Sequence, residues 1–374
     1  MSIPKVLTGH EIRPEFEDKQ AIVFESSQLF VPYMDVALIS LLQHIEDSHN
    51  YDIIILTKEI EEYDQQLLQR HAGTKKNVSI RFFDPSPIVK EFYNNARYSY
   101  LEINYYRLAL PWILKEYDRA LNLGADILVN RDVHELINIE LSDNVYIAGA
   151  RDLGYIGRLS IDISKEELGL ADPFSYVNAD VMLFDLNAIR LNHSIDDVMN
   201  PWQKYHLRCA EQDALNMLYN EHVKCFSYKW NLFPERMLSA NDISHAPKEF
   251  LNEYNKCLDE PYIVHYAAVP KPWDYPMVGY GHLWWAAARQ SVYYEEMLRR
   301  MGLCSVASQY NDTHSTARKI VDFLLPAGTR RRSFCKKLFP KGSGQRRMIK
   351  RIYSCLFHHG QDESEIRYGR MSNK

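Results

Sequence analysis

An α/β fold with a mostly parallel sheet flanked by helices follows from three observations on the 374-residue sequence. Two short apolar runs rich in β-branched residues, QAIVFE (20–25) and YDIIILT (51–57), bracket a segment in which Met34, Leu38, Leu41, Leu42 and Ile45 recur at helical spacing, the pattern of a β-α-β unit. The run Ile53-Ile54-Ile55-Leu56 is apolar without alternation, so both faces of that strand must be covered, as in a parallel sheet between helices. The pattern then repeats down the chain.

Helix-like residues 59–70 lead into the strand NVSIRFFD (77–84), and helix-like 103–117 into RALNLGADILVN (119–130). Further strands are predicted at VYIAGA (145–150) and VMLFDL (181–186). Residues 240–285, rich in Pro, Tyr and Trp, read as irregular, and a helix is expected over 283–301. The domain is predicted to span 1–302, with 303–314 as a polar linker and 315–374 as a tail. Ligands of open α/β sheets bind beyond the carboxyl ends of the strands, which directs attention to residues 25–30, 124–126 and the loops near Asn178 and Gln212.

Composition excludes several classes. With 46% hydrophobic and 25% charged residues the chain is an ordinary globular one. No run approaches the roughly 20 apolar residues of a membrane span, and MSIPKVLTGHEIRPEFEDKQ is too polar for a signal peptide, so a cytoplasmic protein is expected. The six cysteines lie far apart with no CxxC pair and read as free thiols. There is no Gly-rich phosphate loop, no GxSxG and no HExxH.

Charge is unevenly distributed. Between residues 315 and 360 there are twelve Lys/Arg against Asp322 alone, whereas the whole chain carries −5, which leaves −16 on residues 1–314. Ile320, Phe323, Leu324, Phe334, Leu338, Phe339, Met348, Ile349, Ile352, Leu356 and Phe357 interleave these cations. A basic amphipathic C-terminal tail of this kind suits an anionic membrane surface; a solvated tail is the plainer alternative, and nucleic acid is disfavoured by the acidic body.

Three segments carry candidate chemistry. The Leu-Gly-Ala-Asp turn within RALNLGADILVN presents Asp126 at the ligand edge, where a carboxylate can hold a hard cation, or simply close a turn. In YIVHYAAVPKPW (262–273), His265 can ligate a metal and Lys271 can neutralise a diphosphate; a core histidine and a surface lysine are the bland alternatives. CAEQDALNMLY (209–219) opens a helix with Glu211, Gln212 and Asp213, the last also a plausible first-turn acid.

Taken in order, these segments resemble glycosyltransferase family 8, the retaining galactosyl- and glucosyltransferases that include bacterial lipopolysaccharide enzymes and glycogenin. AIVFESSQLFVPY resembles the family's opening strand and uracil loop, YLEINYYRLALPWIL its YxRL helix, RALNLGADILV its YLDxD strand, and YVNADVMLFDL its NAGVxLxNL strand. EQDALN and HYAAVPKPW resemble DQDxLN and HxxGxxKPW, and the resemblance covers residues 20–285. It implies a GT-A fold, a UDP-hexose donor and Mn2+ or Mg2+. By position it implies Asp126 and His265 as metal ligands; Ser27, Phe30, Arg107, Ala125, Asn178, Ala179, Ala268 and Lys271 as donor and nucleotide contacts; and Gln212, Glu211 and Asp180 as catalytic candidates.

The sequence also departs from the family pattern. Gly124 replaces the first DxD aspartate, Ser27 an aspartate at uracil, Leu29 a polar ribose contact, Asp180 the glycine of NAG, Glu211 an aspartate, and Ala268 a glycine. Loss of the carboxylate at 124 is expected to weaken or abolish metal binding, since ligand number and charge set affinity for hard cations. The implied activity is transfer of glucose or galactose from a UDP-sugar to a cell-surface glycan or lipid-linked saccharide, by an enzyme peripheral on the inner face of the cell membrane. A catalytically impaired member serving as a scaffold in glycan assembly is the alternative, and a nucleotide-sugar hydrolase or phosphotransferase a third possibility.

Overall fold

The apolar runs pair as strands of one eight-stranded sheet. In the computed structural model, which describes residues 7–8, 12–93, 102–159, 168–199, 207, 209–234, 245–267 and 269–302, the strands are β1 (Leu7–Thr8), β2 (Gln20–Glu25), β3 (Tyr51–Leu56), β4 (Val78–Asp84), β5 (Arg119–Leu123), β7 (Ile147–Arg151), β8 (Val177–Asp185) and β9 (Val223–Cys225). Their order is β1-β4-β3-β2-β5-β8-β7-β9. β2 pairs in parallel with β3 on one side and with β5 on the other, which makes the gap after these strands a topological switch point. Only β8 runs against the rest, antiparallel to both β5 and β7. Its first residues, rather than its last, therefore reach the ligand edge.

Alternate residues along each strand enter opposite layers, as the unbroken apolar runs require. Ala21, Val23, Ile54 and Leu56 pack with Leu108, Leu110, Met182 and Leu215. Ile22, Phe24, Ile53 and Ile55 pack on the other face with Met34, Leu38, Leu121 and Leu183. The second layer is covered by helix α1 (Val31–Leu42), in which every residue from Val31 to Leu41 is buried. Helices α2 (Glu62–Gln69) and α3 (Ser86–Tyr93) follow β3 and β4. A second sheet of two antiparallel strands, β6 (Ile127–Val129) and β10 (Ile263–His265), branches from the end of β5.

Three expectations need correction. Residues 103–117 form not one α-helix but a 3-10 helix, Glu102–Ala109, and then a single turn, α4 (Leu110–Ile113). Pro111 lacks the N–H that would bond four residues back to Arg107, so an α-ladder cannot run through this point. The stretch 240–285 is not irregular throughout. It holds β10 and an amphipathic helix, Lys248–Cys257, whose Tyr254 and Cys257 are buried and whose Phe250 and Leu251 pack beside them. The helix expected over 283–301 is two helices: the first spans Gly281–Ala288 and breaks, because buried Ser291 donates to Asp35 Oδ2 of α1 at 2.5 Å and accepts from the Tyr293 N–H, and the chain is helical again over 294–302.

The remaining helices, in chain order, are α5 (His134–Ile137), α6 (Leu153–Leu159), α7 (Leu186–Asn192), α8 (Ile195–Met199), α9 (Ala210–Tyr219), α10 (Lys248–Cys257) and α11 (Gly281–Ala288). The chain divides at Met297/Leu298 into two units, the first of which carries all these elements. Cys209, Cys225 and Cys257 are free thiols; the other three cysteines, and the predicted linker and basic tail, lie outside the described residues. No helix among the described residues is long and apolar enough to cross a membrane.

Candidate active site

Beyond the carboxyl ends of β2 and β5 the chain assembles a network of buried and half-buried charges. Asp126 sits in the turn between β5 and β6, and the antiparallel β6–β10 ladder places His265 directly opposite Ile127. The imidazole is fully buried. Its Nδ1 meets Asn231 Oδ1 at 2.9 Å, while its Nε2 has no hydrogen-bond partner and lies 3.4 Å from Asp126 Oδ1 and 3.3 Å from Asp180 Oδ2. Asn231 Nδ2 donates to Asn178 Oδ1, which fixes the Asn231 amide with its oxygen toward the histidine.

Each carboxylate is gripped from the far side. Lys271 Nζ donates to Asp126 Oδ2 at 2.5 Å, and Arg107 Nη1 to Asp180 Oδ1 at 2.7 Å. The inner oxygens, Asp126 Oδ1 and Asp180 Oδ2, are thereby turned toward His265 Nε2. The three ligand-capable atoms lie within 4.8 Å of one another. One imidazole nitrogen and two carboxylate oxygens, with the second imidazole nitrogen locked by an amide, form a donor set that fits a divalent cation.

Electrostatics agree with the geometry. Burial disfavours charge on Asp126 and Asp180, yet Lys271 and His265 hold the first, and Arg107 and His265 the second, below the ordinary carboxylate range. Burial favours a neutral His265, but the two carboxylates outweigh it and raise the ring to about 9. Arg107 is itself anchored: its Nε and Nη2 both donate to Glu25 Oε2, at 2.9 and 2.6 Å, from the last position of β2. Burial raises Glu25 to about 7 against the pull of Arg107, and its Oε1 has no partner. Glu211, whose Oε1 is 3.8 Å from Arg107 Nη1, is likewise raised by burial to about 7.

A second group adjoins the first through Asn178. Gln212, near the start of α9, accepts from Asn178 Nδ2 at 2.9 Å and from the Ala179 N–H at 3.0 Å, and donates to Asp152 Oδ2 and Tyr176 Oη at 3.2 Å. The helix is docked on β8 by Asn216, which bonds both backbone groups of Val177, and by Asp213, which accepts from Tyr176 Oη.

The structure thus gathers Asp126, His265, Lys271, Arg107, Asp180 and Glu211 into one charge cluster, with Asn178, Ala179 and Gln212 beside it. Ser27 and Phe30 stand on the 3-10 turn Gln28–Phe30 and its approach, where Ser27 O accepts from the Phe30 N–H and the Phe30 ring meets Tyr33 edge to face. Ala125 lines the core beside Asp126. Ala268 lies outside the described residues. Sequence reasoning did not single out Asn231, Asp152 or Tyr176; it marked Glu25 only as the edge of a region.

A mixed sheet of this order, with an acidic site at its switch point, has the GT-A architecture. The sequence model "Glycosyl transferase family 8" matches residues 21–276, and the chain belongs to that family. Among curated relatives, the Lipopolysaccharide 1,2-glucosyltransferase of Escherichia coli is 25% identical over 182 residues, covering 45% of this chain and 49% of that enzyme. Among solved structures, the bifunctional glycosyltransferase WbbM superposes with a TM-score of 0.70 at 18% identity, over 77% of this chain and 53% of its own. The galactosyltransferase LgtC, solved with donor and acceptor sugar analogues, gives 0.60 at 22%, over 73% and 96%.

Proposed function

We propose that this chain is a retaining glycosyltransferase that moves a hexose from a UDP-sugar to a cell-surface glycan or lipid-linked saccharide. The observation that carries the reading is the convergence of a buried, unpartnered His265 Nε2 with Asp126 and Asp180, flanked by Lys271, at the ligand edge of the sheet. That arrangement suits a nucleoside diphosphate leaving group. Asp126 and His265 would hold a divalent cation there, which when bound would supply electrostatic stabilisation to the charge developing on the departing diphosphate.

The chain's own residues do the rest. Lys271 offers an ammonium to the diphosphate beside Asp126. Gln212 has its amide oxygen occupied by Asn178 and Ala179 and its nitrogen by Asp152 and Tyr176, so it positions the sugar and does not attack it. The acceptor hydroxyl attacks the anomeric carbon on the face from which UDP departs; the new C–O bond replaces the bond to the diphosphate, which takes the hydroxyl proton as it leaves. Glu211, poised near neutrality, and Asp180 border this reaction space. The tail 315–374 is proposed to hold the enzyme on anionic membrane, where lipid-linked acceptors reside.

A panel of nucleotide-sugars, each incubated with Mn2+, Mg2+ or chelator, tests the reading by slow donor hydrolysis. Turnover of one UDP-hexose is expected; no turnover together with no calorimetric UDP binding overturns the donor site in favour of a scaffold. Truncation after Gly302 is expected to release the protein from anionic liposomes while leaving activity on soluble acceptors, and liposome binding that survives removes the tail from the account.

A further inference from the structure

Gly124 and Asp180 are cross-strand neighbours. The Gly124 N–H donates to the Asp180 carbonyl at 2.7 Å, one step past the Leu123–Val181 pair that ends the antiparallel β5–β8 ladder. A Cβ on residue 124 would stand 3.2 Å from Asp180 Cβ, 3.4 Å from its Cγ and 3.0 Å from Asp126 Oδ1. The space a side chain at 124 would enter is already taken by the two carboxylates. A side chain at 124 and the carboxylate at 180 would therefore crowd one another.

We propose that Asp180 supplies from β8 the cation ligand that the β5 turn lacks at Gly124, so that the donor site holds a divalent cation with Asp126, His265 and a carboxylate moved across the ladder. The proposal rests on the glycosyltransferase reading for the cation's use, but not for its binding. Two features on either side of Asp180 carry it. Toward the site, Asp180 Oδ2 and Asp126 Oδ1 both face a fully buried imidazole nitrogen that makes no hydrogen bond. Away from it, Oδ1 is held by Arg107, and Arg107 is held by two bonds to Glu25. Glu25 and Arg107 are accordingly positioning residues: the buried acid orients the guanidinium, and the guanidinium turns the free oxygen of Asp180 inward. The expected loss of metal through Gly124 is thereby compensated by residues 56 positions away.

The test is a titration of the full chain with Mn2+ alone, read by the paramagnetic resonance of the free ion, with UDP binding measured separately by calorimetry. Asp180→Asn preserves shape and is expected to weaken Mn2+ by at least ~10-fold, since ligand charge sets affinity for hard cations. Asp180→Gly is expected to bind as weakly, and the exchange Gly124→Asp/Asp180→Gly to recover most of that loss. Wild-type Mn2+ affinity in Asp180→Asn, or a folded exchange variant no better than Asp180→Gly, overturns the proposal. If the exchange variant does not fold, Asp180→Asn alone decides. A wild-type chain that binds UDP but no Mn2+ overturns the ligand assignment and leaves the donor site standing, whereas a chain that binds neither overturns both.

Discussion

His265 Nδ1 and Asn231 Oδ1 meet at 2.9 Å, and this one contact selects which imidazole nitrogen faces Asp126 and Asp180. With Nδ1 carrying the proton toward the amide, Nε2 is left to offer its lone pair to a cation held between it and the carboxylates. Asn231→Leu is therefore expected to lower Mn2+ affinity by ~10–100-fold, the usual consequence of losing such a support. Calorimetric titration checks it, with circular dichroism to establish the fold. A drop in melting temperature with unchanged Mn2+ affinity would assign Asn231 a packing role only.

Lys271 is the cation that shields Asp126 from the outside. Lys271→Met keeps the apolar stem and removes the charge, so UDP affinity is expected to fall by at least ~10-fold while Mn2+ affinity holds or rises, because Asp126 Oδ2 loses its competitor. Parallel calorimetric titrations with UDP and with Mn2+ separate the two effects. Equal losses in both would mean that Lys271 builds the turn instead of meeting the diphosphate.

Glu25 makes stability depend on pH. Burial pushes its carboxyl up to about 7, above the ordinary glutamate range, so the native state holds this proton more tightly than the unfolded chain. The contribution is fully present below the unfolded value and is lost as pH rises through about 7, at ~1.4 kcal/mol per unit and ~3 kcal/mol in all. Denaturant midpoints of the wild type are expected to fall between pH 5 and 8, and Glu25→Gln to reduce that slope, the remainder belonging to Glu211 and His265, which are also raised. A slope unchanged by the substitution would place the titration elsewhere.

Gly149 lets β7 approach the start of β8. A Cβ there would meet Val177 Cβ at 2.8 Å and Val177 Cγ2 at 3.2 Å, where both residues are buried between adjacent strands. Gly149→Ala is expected to cost ~1–3 kcal/mol by overpacking and, because Val177 leads to Asn178, to weaken donor binding as well. Urea unfolding and UDP calorimetry read the two parts.

The strands that frame the site were legible because each is a closed apolar run whose two faces are both buried, and such runs declare themselves without tertiary information. Asp126, His265 and Lys271 were legible for a different reason: each stands at the end or turn of such a run, inside a segment with a family likeness. Asn231 was not, since its partners lie 34 and 53 residues away and its own neighbours, Trp230 and Leu232, read only as core. Asp152 and Tyr176 were hidden in the same way, one residue past β7 and one before β8. Gly124 read as a loss because a sequence shows what is missing from a motif but not what stands beside it in space. The helix Lys248–Cys257 was masked by a polar composition that lets only a narrow apolar stripe reach the core.

The reversed direction of β8 gives the site a particular mutational topology. Residues 124 and 180 belong to opposite strands of a ladder, so no single codon change moves a carboxylate from one to the other. Every route between the Gly124/Asp180 arrangement and its mirror passes through a chain with two acids in one space or with none. The first would crowd the ladder and the second would leave Asp126 and His265 without a third protein ligand, so the two positions are expected to behave as an epistatic pair.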